Sequence, residues 1–368
     1  MLKRNYGIDL LKIVLAFMVI IIHIHAGGTG QVLLHSSKQP WKVLALIITY
    51  FCYPAVNTYI LITGYYSFEA KKDLNSAVKN LSQLWMIAVF FSLFGYFVCL
   101  MMGNTFSLFD MIKRFFPITR GVWWFYTVYF ALILLSPFID KMLDSLDIKE
   151  HKMLLVILLL ILSIFPIFVN WDGKIGSNYG YSLIWFIALY VTGAYLMRIK
   201  IVNNKYLKKT FVFIIIYCFS TGCLYIVPKI FLRLGVAINL AMYNSIFVYI
   251  QSIALFVAFG NLSFDRKISK IVGSISSLSL ASYLLHCQED IEKILWLKLN
   301  LEVYTNSMQI IYVTILICIS IFGVGILLEF VRKNLCRFLK IDKFFVSMID
   351  KCYMVLVWLL GEKGNKDV

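Results

Sequence analysis

The segment GIDLLKIVLAFMVIIIHIH, residues 7–25, places Asp9, Lys12, His23 and His25 inside an otherwise apolar run. Ionisable side chains are costly at membrane depth, so each is a functional candidate. On a helix turning about 100° per residue, Asp9 and Lys12 lie about 60° apart. His23 comes round to within about 20° of Lys12, while His25 points away. Asn5 and the small Ala16 fall in the same arc. Lys12 and His23 then share one helix face, separated by about 16 Å along the axis. A cation at one depth can hold an anionic group. An imidazole that is neutral near pH 7 can take a proton from a hydroxyl at the other. The structural alternatives are a Lys12 stem reaching the headgroups beside Asp9 and a His23 that hydrogen-bonds a neighbouring helix.

A second imidazole, His286, ends the apolar part of SLASYLLHCQEDI and is followed by Glu289 and Asp290. If that segment runs in the same direction as the first, His286 reaches the level of His23. Trp124, Tyr126, Trp185 and Tyr190 stand near the ends of apolar runs, where they could line a sugar-binding surface or serve as core and belt aromatics. Glu329 has Arg332 or Arg198 as an expected ion-pair partner.

The elements that must position these groups follow from composition. The 368 residues are 61% apolar and only 15% charged, with a mean hydropathy of +0.83, against about 25% charged in a soluble domain. Apolar runs near the length that crosses a bilayer, about 20 residues, occur at 8–26, 42–65, 84–102, 122–139, 153–170, 182–199, 210–228, 237–259, 271–287 and 309–330. The fold class is an all-α polytopic membrane protein of about ten transmembrane helices.

The formal net charge of +16 would suggest nucleic acid in a soluble chain, but here the cations sit in short loops. Of the 35, 24 fall in segments on the N-terminal side of the spans and 10 on the other, with Lys12 inside a span. That bias puts both termini in the cytoplasm. Lys3 and Arg4 ahead of an apolar run imitate a signal peptide, but further spans follow and the segment reads as an uncleaved first span.

Two segments are not expected to span. FSLFDMIKRFFPITRG mixes aromatics with Lys113, Arg114 and Arg120 and belongs at the outer interface. FFVSMIDKCYMVLVWLL, interrupted by Asp350 and Lys351, reads as an interfacial helix. The chain thus divides into a membrane unit, 1–340, and a cytoplasmic interfacial tail, 341–368. Trp41, Trp123, Trp124 and Trp171 fall at outer span ends, as an aromatic belt predicts. No internal repeat or broken-helix pattern of a transporter is visible. The eight cysteines form no CxxC pair, so neither a metal site nor a disulfide framework is implied.

The motifs carry a resemblance. RNYGIDLLKIVLAFMVIIIHIH resembles the first helix of the acyltransferase-3 family, whose motif there is a basic residue, ten residues and a His; here it reads Lys12-x10-His23. NTYILITGYYSF, TRGVWWFYTVYFALILLSPFID, YSLIWFIALYVTGAYL and SISSLSLASYLLH resemble later family segments in order. Lys12 replaces the usual Arg and loses its bidentate fork. The family's Arg-x-x-Arg after the second span has only Lys79, Lys71 and Lys72 as counterparts. No appended hydrolase-like domain is present in these residues.

The resemblance implies a membrane-bound O-acyltransferase of bacterial surface glycans. Acetyl-CoA would be the cytoplasmic donor, held by Lys12, Lys79, Lys71 and Lys72. His23 would be the base, Asp9 would orient Lys12, and His286, Trp124, Tyr126 and Trp185 would meet the acceptor. No Ser or Cys is placed as a nucleophile, so transfer would be direct, by this chain alone or with polysaccharide-assembly proteins. A transporter or flippase for a lipid-linked glycan is the alternative.

Overall fold

Where no water satisfies backbone N–H and C=O groups, an apolar run must close its hydrogen bonds internally as a helix. A computed structural model describes residues 4–25, 32–38, 40–71, 73–168, 175–202, 210–341, 347 and 351. Among them there are helices and no strand. Lys3, Lys72, Trp171, the loop lysines 174, 205, 208 and 209, and nearly all of the expected tail lie outside the described residues.

The elements are α1 (Tyr6–His25), α2 (Val32–His35), α3 (Trp41–Cys52), α4 (Pro54–Ala70), α5 (Leu74–Met101), α6 (Leu108–Lys113), α7 (Trp124–Asp144), α8 (Ile148–Phe168), α9 (Leu183–Arg198), α10 (Thr210–Arg233), α11 (Ile246–Gly260), α12 (Arg266–Ser276), α13 (Leu280–His286), α14 (Glu289–Leu299) and α15 (Gln309–Phe338). Eight helical runs are long and apolar enough to cross a membrane, and α9 and α11 are shorter apolar helices. Together they account for the ten expected spans.

Several spans differ in detail from the sequence reading; the eighth, expected over 237–259, forms a helix only from Ile246 to Gly260. The second is a 30-residue run, α3 then α4, divided at Tyr53, because Pro54 lacks the N–H that would continue the ladder. The third starts well before residue 84, because the Asp73 side chain caps the Ser76 N–H at 3.0 Å and starts α5 in polar sequence. The Asp73 carboxyl is held below its ordinary pKa by that contact with Ser76.

The ninth span, α12 then α13, tightens between Ser276 and Leu280 into i→i+3 turns, with Leu278 N–H donating to Ile275 O at 3.0 Å and Ser279 N–H to Ser276 O at 3.3 Å. Its serines return their hydroxyls to their own backbone, Ser277 to Ser274 O and Ser279 to Ser276 O, at 2.7 and 2.9 Å.

α1 is the central strut. Ile8, Leu11, Leu15 and Val19 pack with α4 and α11, while Ala16, Ile20 and Ile24 pack with α3 and α15. Helices in lipid gain little from apolarity alone and associate through close van der Waals fit. Glycines supply that fit at two crossings. A Cβ on Gly64 or Gly193 would strike the backbone of the facing helix, locking α4 to α9. A Cβ on Gly325 would lie 2.7 Å from Ser282 Cα, so α15 rests directly on α13.

The start of α1 and the end of α15 meet the same helix end: Arg4 Nη2 donates to Gly273 O at 2.7 Å and Lys333 Nζ to Ser277 O at 2.9 Å. The aromatic and basic segment after α5 contains α6, and Phe106 before it and Phe109 within it are exposed. Arg114 from it pairs with Glu289, and with Asp290 at 2.8 Å, and Arg120 reaches Glu289 at 2.7 Å.

Candidate functional site

The first turn of α1 is built by its own sequence. Asn5 Oδ1 accepts from the Gly7 and Ile8 N–H groups at 2.9 and 3.2 Å, an N-cap, and Asn5 Nδ2 donates to Gly260 O at 2.8 Å. Asp9, buried one turn on, gathers three groups. Arg4 Nε lies at 2.5 Å, Ser276 Oγ at 3.2 Å and Lys12 Nζ at 3.7 Å. Asp9 therefore bears on Lys12 while also tying α1 to the ninth span.

Lys12 opens onto a cavity of about 590 Å³ whose walls include Tyr59, Thr63, Tyr66, Ser67 and Asn80. This cavity lies at the end of the bundle where α1 begins and α4 finishes. The Tyr59 hydroxyl donates to Lys12 O at 2.8 Å.

Tyr59 also borders a second, narrow space of about 50 Å³, lined by His23, Trp124, Tyr243, Ser279 and Tyr283. A volume of that order holds one or two waters. His23 therefore lines a narrow neck that shares Tyr59 with the wide Lys12 cavity, and the helix face read from the 11-residue spacing presents Lys12 to one space and His23 to the other.

His286 closes the site. Its Nδ1 sits 2.5 Å from Ser282 O, which can only accept, so Nδ1 carries the proton and Nε2 the lone pair. His23 Nδ1 lies 2.8 Å from that Nε2 and must donate to it. The chain Ser282 O, His286, His23 thus assigns the tautomer of His23 by hydrogen-bond logic. The basic lone pair of a neutral His23 falls on Nε2. Gly325 sustains the arrangement by letting α15 hold the Ser282 backbone in place.

Cys287 Sγ lies 3.4 Å from His23 Nδ1. His23, His286 and Cys287 are the one group among the described residues whose donor atoms, all within 4.8 Å of one another, could meet on a metal ion. The 2.8 Å N···N separation is that of a direct hydrogen bond. Two nitrogens on one tetrahedral zinc, each bonded at about 2.0–2.1 Å, would lie about 3.3 Å apart.

The other sequence candidates separate. Trp124 lines the neck. Tyr126 does not, in contrast to its expected acceptor role: it is 1% exposed and its hydroxyl donates to Leu84 O at 2.9 Å. Trp185, fully buried, is likewise off the cavity walls and donates to Asn57 Oδ1 at 3.1 Å. Tyr190 donates to Asp140 at 2.8 Å inside the core. Trp123, read as a belt residue, is buried among Phe91, Tyr126 and Leu284.

Lys71 pairs with Asp144 at 3.2 Å on an exposed surface, and Lys79 is not among the residues lining the Lys12 cavity. Lys12 is thus the cation on that wall among the described residues. Glu329 pairs with Arg332 at 2.7 Å.

The sequence reading missed Tyr59, Tyr243, Ser279 and Tyr283 on the neck. The run Tyr59, Thr63, Tyr66 and Ser67 at helical spacing in NTYILITGYYSF was a usable signal, because hydroxyls recurring on one face of an apolar span mark a wet wall. Tyr243 falls inside the expected eighth span, 237–259, and only the structure, where the helix starts at Ile246, frees it to reach the neck.

The fold and site define a multi-pass helical membrane protein with a paired imidazole at the neck of a cavity system. Residues 5–329 match the profile of an acyltransferase domain, and the chain belongs to that family, acyltransferase-3. It is accordingly a membrane acyltransferase. No curated protein and no solved structure matches the chain.

Proposed function

We propose that the protein transfers an acetyl group from cytoplasmic acetyl-CoA to a hydroxyl of a cell-surface or lipid-linked glycan, in the cytoplasmic membrane of a bacterium. The observation that carries this reading is the His23–His286 pair, at 2.8 Å, standing at a neck about 16 Å along α1 from the cation Lys12. A long donor can be held by its phosphates in the wide cavity near Lys12 while its thioester reaches the neck. Asp9 limits the net charge there and keeps the Lys12 stem directed along the wall.

In the step we propose, His23 Nε2 takes the proton of the acceptor hydroxyl as its oxygen attacks the thioester carbonyl. The tetrahedral centre collapses with cleavage of the C–S bond, and the imidazolium returns the proton to the departing thiolate, giving the ester and free CoA. His286 holds His23 in the tautomer that leaves Nε2 basic, and accepts the hydrogen bond of the Nδ1–H throughout. A base so placed contributes about 10²–10⁴-fold.

Purified protein supplied with radiolabelled acetyl-CoA and a capsular or cell-wall glycan tests this reading. Label should move to the glycan and the transfer should be lost in His23→Ala; undiminished transfer in that variant removes His23 as the base. A mass comparison of glycans from wild-type and deletion strains identifies the acyl group and its acceptor.

The orientation we propose, with the start of α1 and the wide Lys12 cavity facing the cytoplasm, rests on the loop-cation bias. An impermeant thiol reagent should label Lys71→Cys only from the cytoplasm. Movement of unmodified glycan lipid across vesicles, without label transfer, would favour the transporter alternative.

A further inference from the structure

Beyond the neck, on the side away from Lys12, Tyr243 is shared with another wide cavity of about 560 Å³. Its volume falls in the range of small-molecule sites, about 300–1,000 Å³. Tyr53, Tyr179, Tyr181, Asn239 and Tyr243 contribute to its wall, and every lining residue among those described is uncharged. The tyrosines come from three distant segments: the junction between α3 and α4, the turn before α9 and the stretch before α11.

The convergence is built. Tyr243 N–H donates to Tyr179 O at 3.1 Å, and Asn57 Nδ2 donates to Tyr243 O at 2.7 Å, with Asn57 itself held by buried Trp185. Asn178, Tyr179 and Gly180 take φ of 44°, 56° and 90° in succession. The left-handed conformation is strained for an aromatic residue such as Tyr179, and such strain concentrates at ligand sites. Gly180 is required where it stands, since a Cβ there would come within 2.6 Å of Tyr243 Cβ.

Tyr179 and Tyr181 are 47% and 43% exposed on this wall. Asn239, on the cavity wall, is held by Ala241 N–H, which donates to its Oδ1 at 3.0 Å. Between this cavity and His23 stand Trp124, Tyr181 and Tyr243, with ring centroids 4.5 to 5.8 Å apart.

We infer that this tyrosine-walled cavity is a binding site for a neutral pyranose unit, from which a sugar hydroxyl is presented past Trp124 and Tyr243 to His23. Aromatic faces match the C–H face of a sugar ring, while phenol and amide groups match its hydroxyls. The absence of charge from the described wall disfavours an anionic ligand such as the CoA phosphates, which belong with Lys12. The acceptor role rests on the acyltransferase reading above; the binding of neutral sugar does not.

The test is a titration of the detergent-purified full chain, following tryptophan emission, with neutral glucose, galactose and N-acetylglucosamine oligosaccharides and with glucuronate oligosaccharides. Saturable binding of a neutral probe is expected. Affinity should weaken about tenfold in Tyr181→Ala and in Asn239→Ala, while Tyr181→Phe, which keeps the ring, should stay within about threefold. Acetyl-CoA affinity should be unchanged in all three, which shows that they fold.

Two outcomes overturn the site: no neutral probe binding to wild type, or equal binding by wild type and Asn239→Ala. Neutral sugar that binds at these residues but is never acylated leaves the site standing and removes the acyltransferase reading of its role.

Discussion

Replacing His286 tests whether the imidazole pair works as a unit. In the wild type His286 Nε2 accepts from His23 Nδ1 across 2.8 Å, and Ser282 O fixes the proton on the other nitrogen at 2.5 Å. His286→Leu keeps an apolar side chain of similar bulk but leaves the His23 Nδ1–H without this acceptor. A buried polar group that loses its partner costs about 1–3 kcal/mol, and His23 can then rotate or change tautomer. Each 1.36 kcal/mol is tenfold in rate, so kcat should fall by about 5- to 150-fold.

KM for acetyl-CoA should hold, because His286 is absent from the wall of the Lys12 cavity. His286→Gln places an amide oxygen near the former Nε2, can accept the same hydrogen bond, and should recover most of the loss. The assay is initial-rate transfer from radiolabelled acetyl-CoA, with thermal unfolding followed in parallel. A His286→Leu protein within twofold of wild type, or a Gln variant as slow as Leu, would refute the positioning role.

Other substitutions probe the remaining parts. Lys12→Gln should weaken CoA binding by about 10- to 150-fold, the worth of a charge-assisted hydrogen bond of about 1.5–3 kcal/mol, while Lys12→Arg should bind nearly as wild type in equilibrium dialysis. Cys287→Ser should keep its transfer activity, because the proposed reaction forms no acyl-cysteine; loss of activity with trapping of labelled wild-type protein would contradict direct transfer. On α15, Gly325→Ala should lower the midpoint of thermal unfolding and reduce transfer, since its Cβ meets the Ser282 backbone, whereas Gly323→Ala, with nothing within 4 Å, should be neutral. Asp9→Ala should leave the Ser276 hydroxyl without its acceptor and weaken the joint between α1 and Ser276 by about 1–3 kcal/mol, read as lower thermal stability.

What could be read in the chain was what depends on local composition and helical period. Membrane insertion sums contributions along a contiguous segment, so the ten spans are legible, including the shorter α9 and α11. Helical spacing likewise places Lys12 and His23 on one face and turns His25 to the other, where it lies buried near Ala45 and Thr314. In SISSLSL, apolar enough to count as a span, the serine hydroxyls return to their own backbone, Ser277 to Ser274 O and Ser279 to Ser276 O.

The partnership of His23 with His286, 263 residues apart, is of another kind. So is the burial of Trp185 and Tyr126, which near their span ends resemble any other membrane aromatic. Lipid and helix surfaces are equally apolar, so hydropathy carries no information about which helix faces which. That choice is made by close backbone approach at Gly64, Gly193 and Gly325. The sequence alone determined that the chain crosses the membrane and carries a cation and an imidazole on one helix face. Only the packing of distant helices decided that the imidazole would be held by a second one, at a neck bordered by Tyr59 and Tyr243.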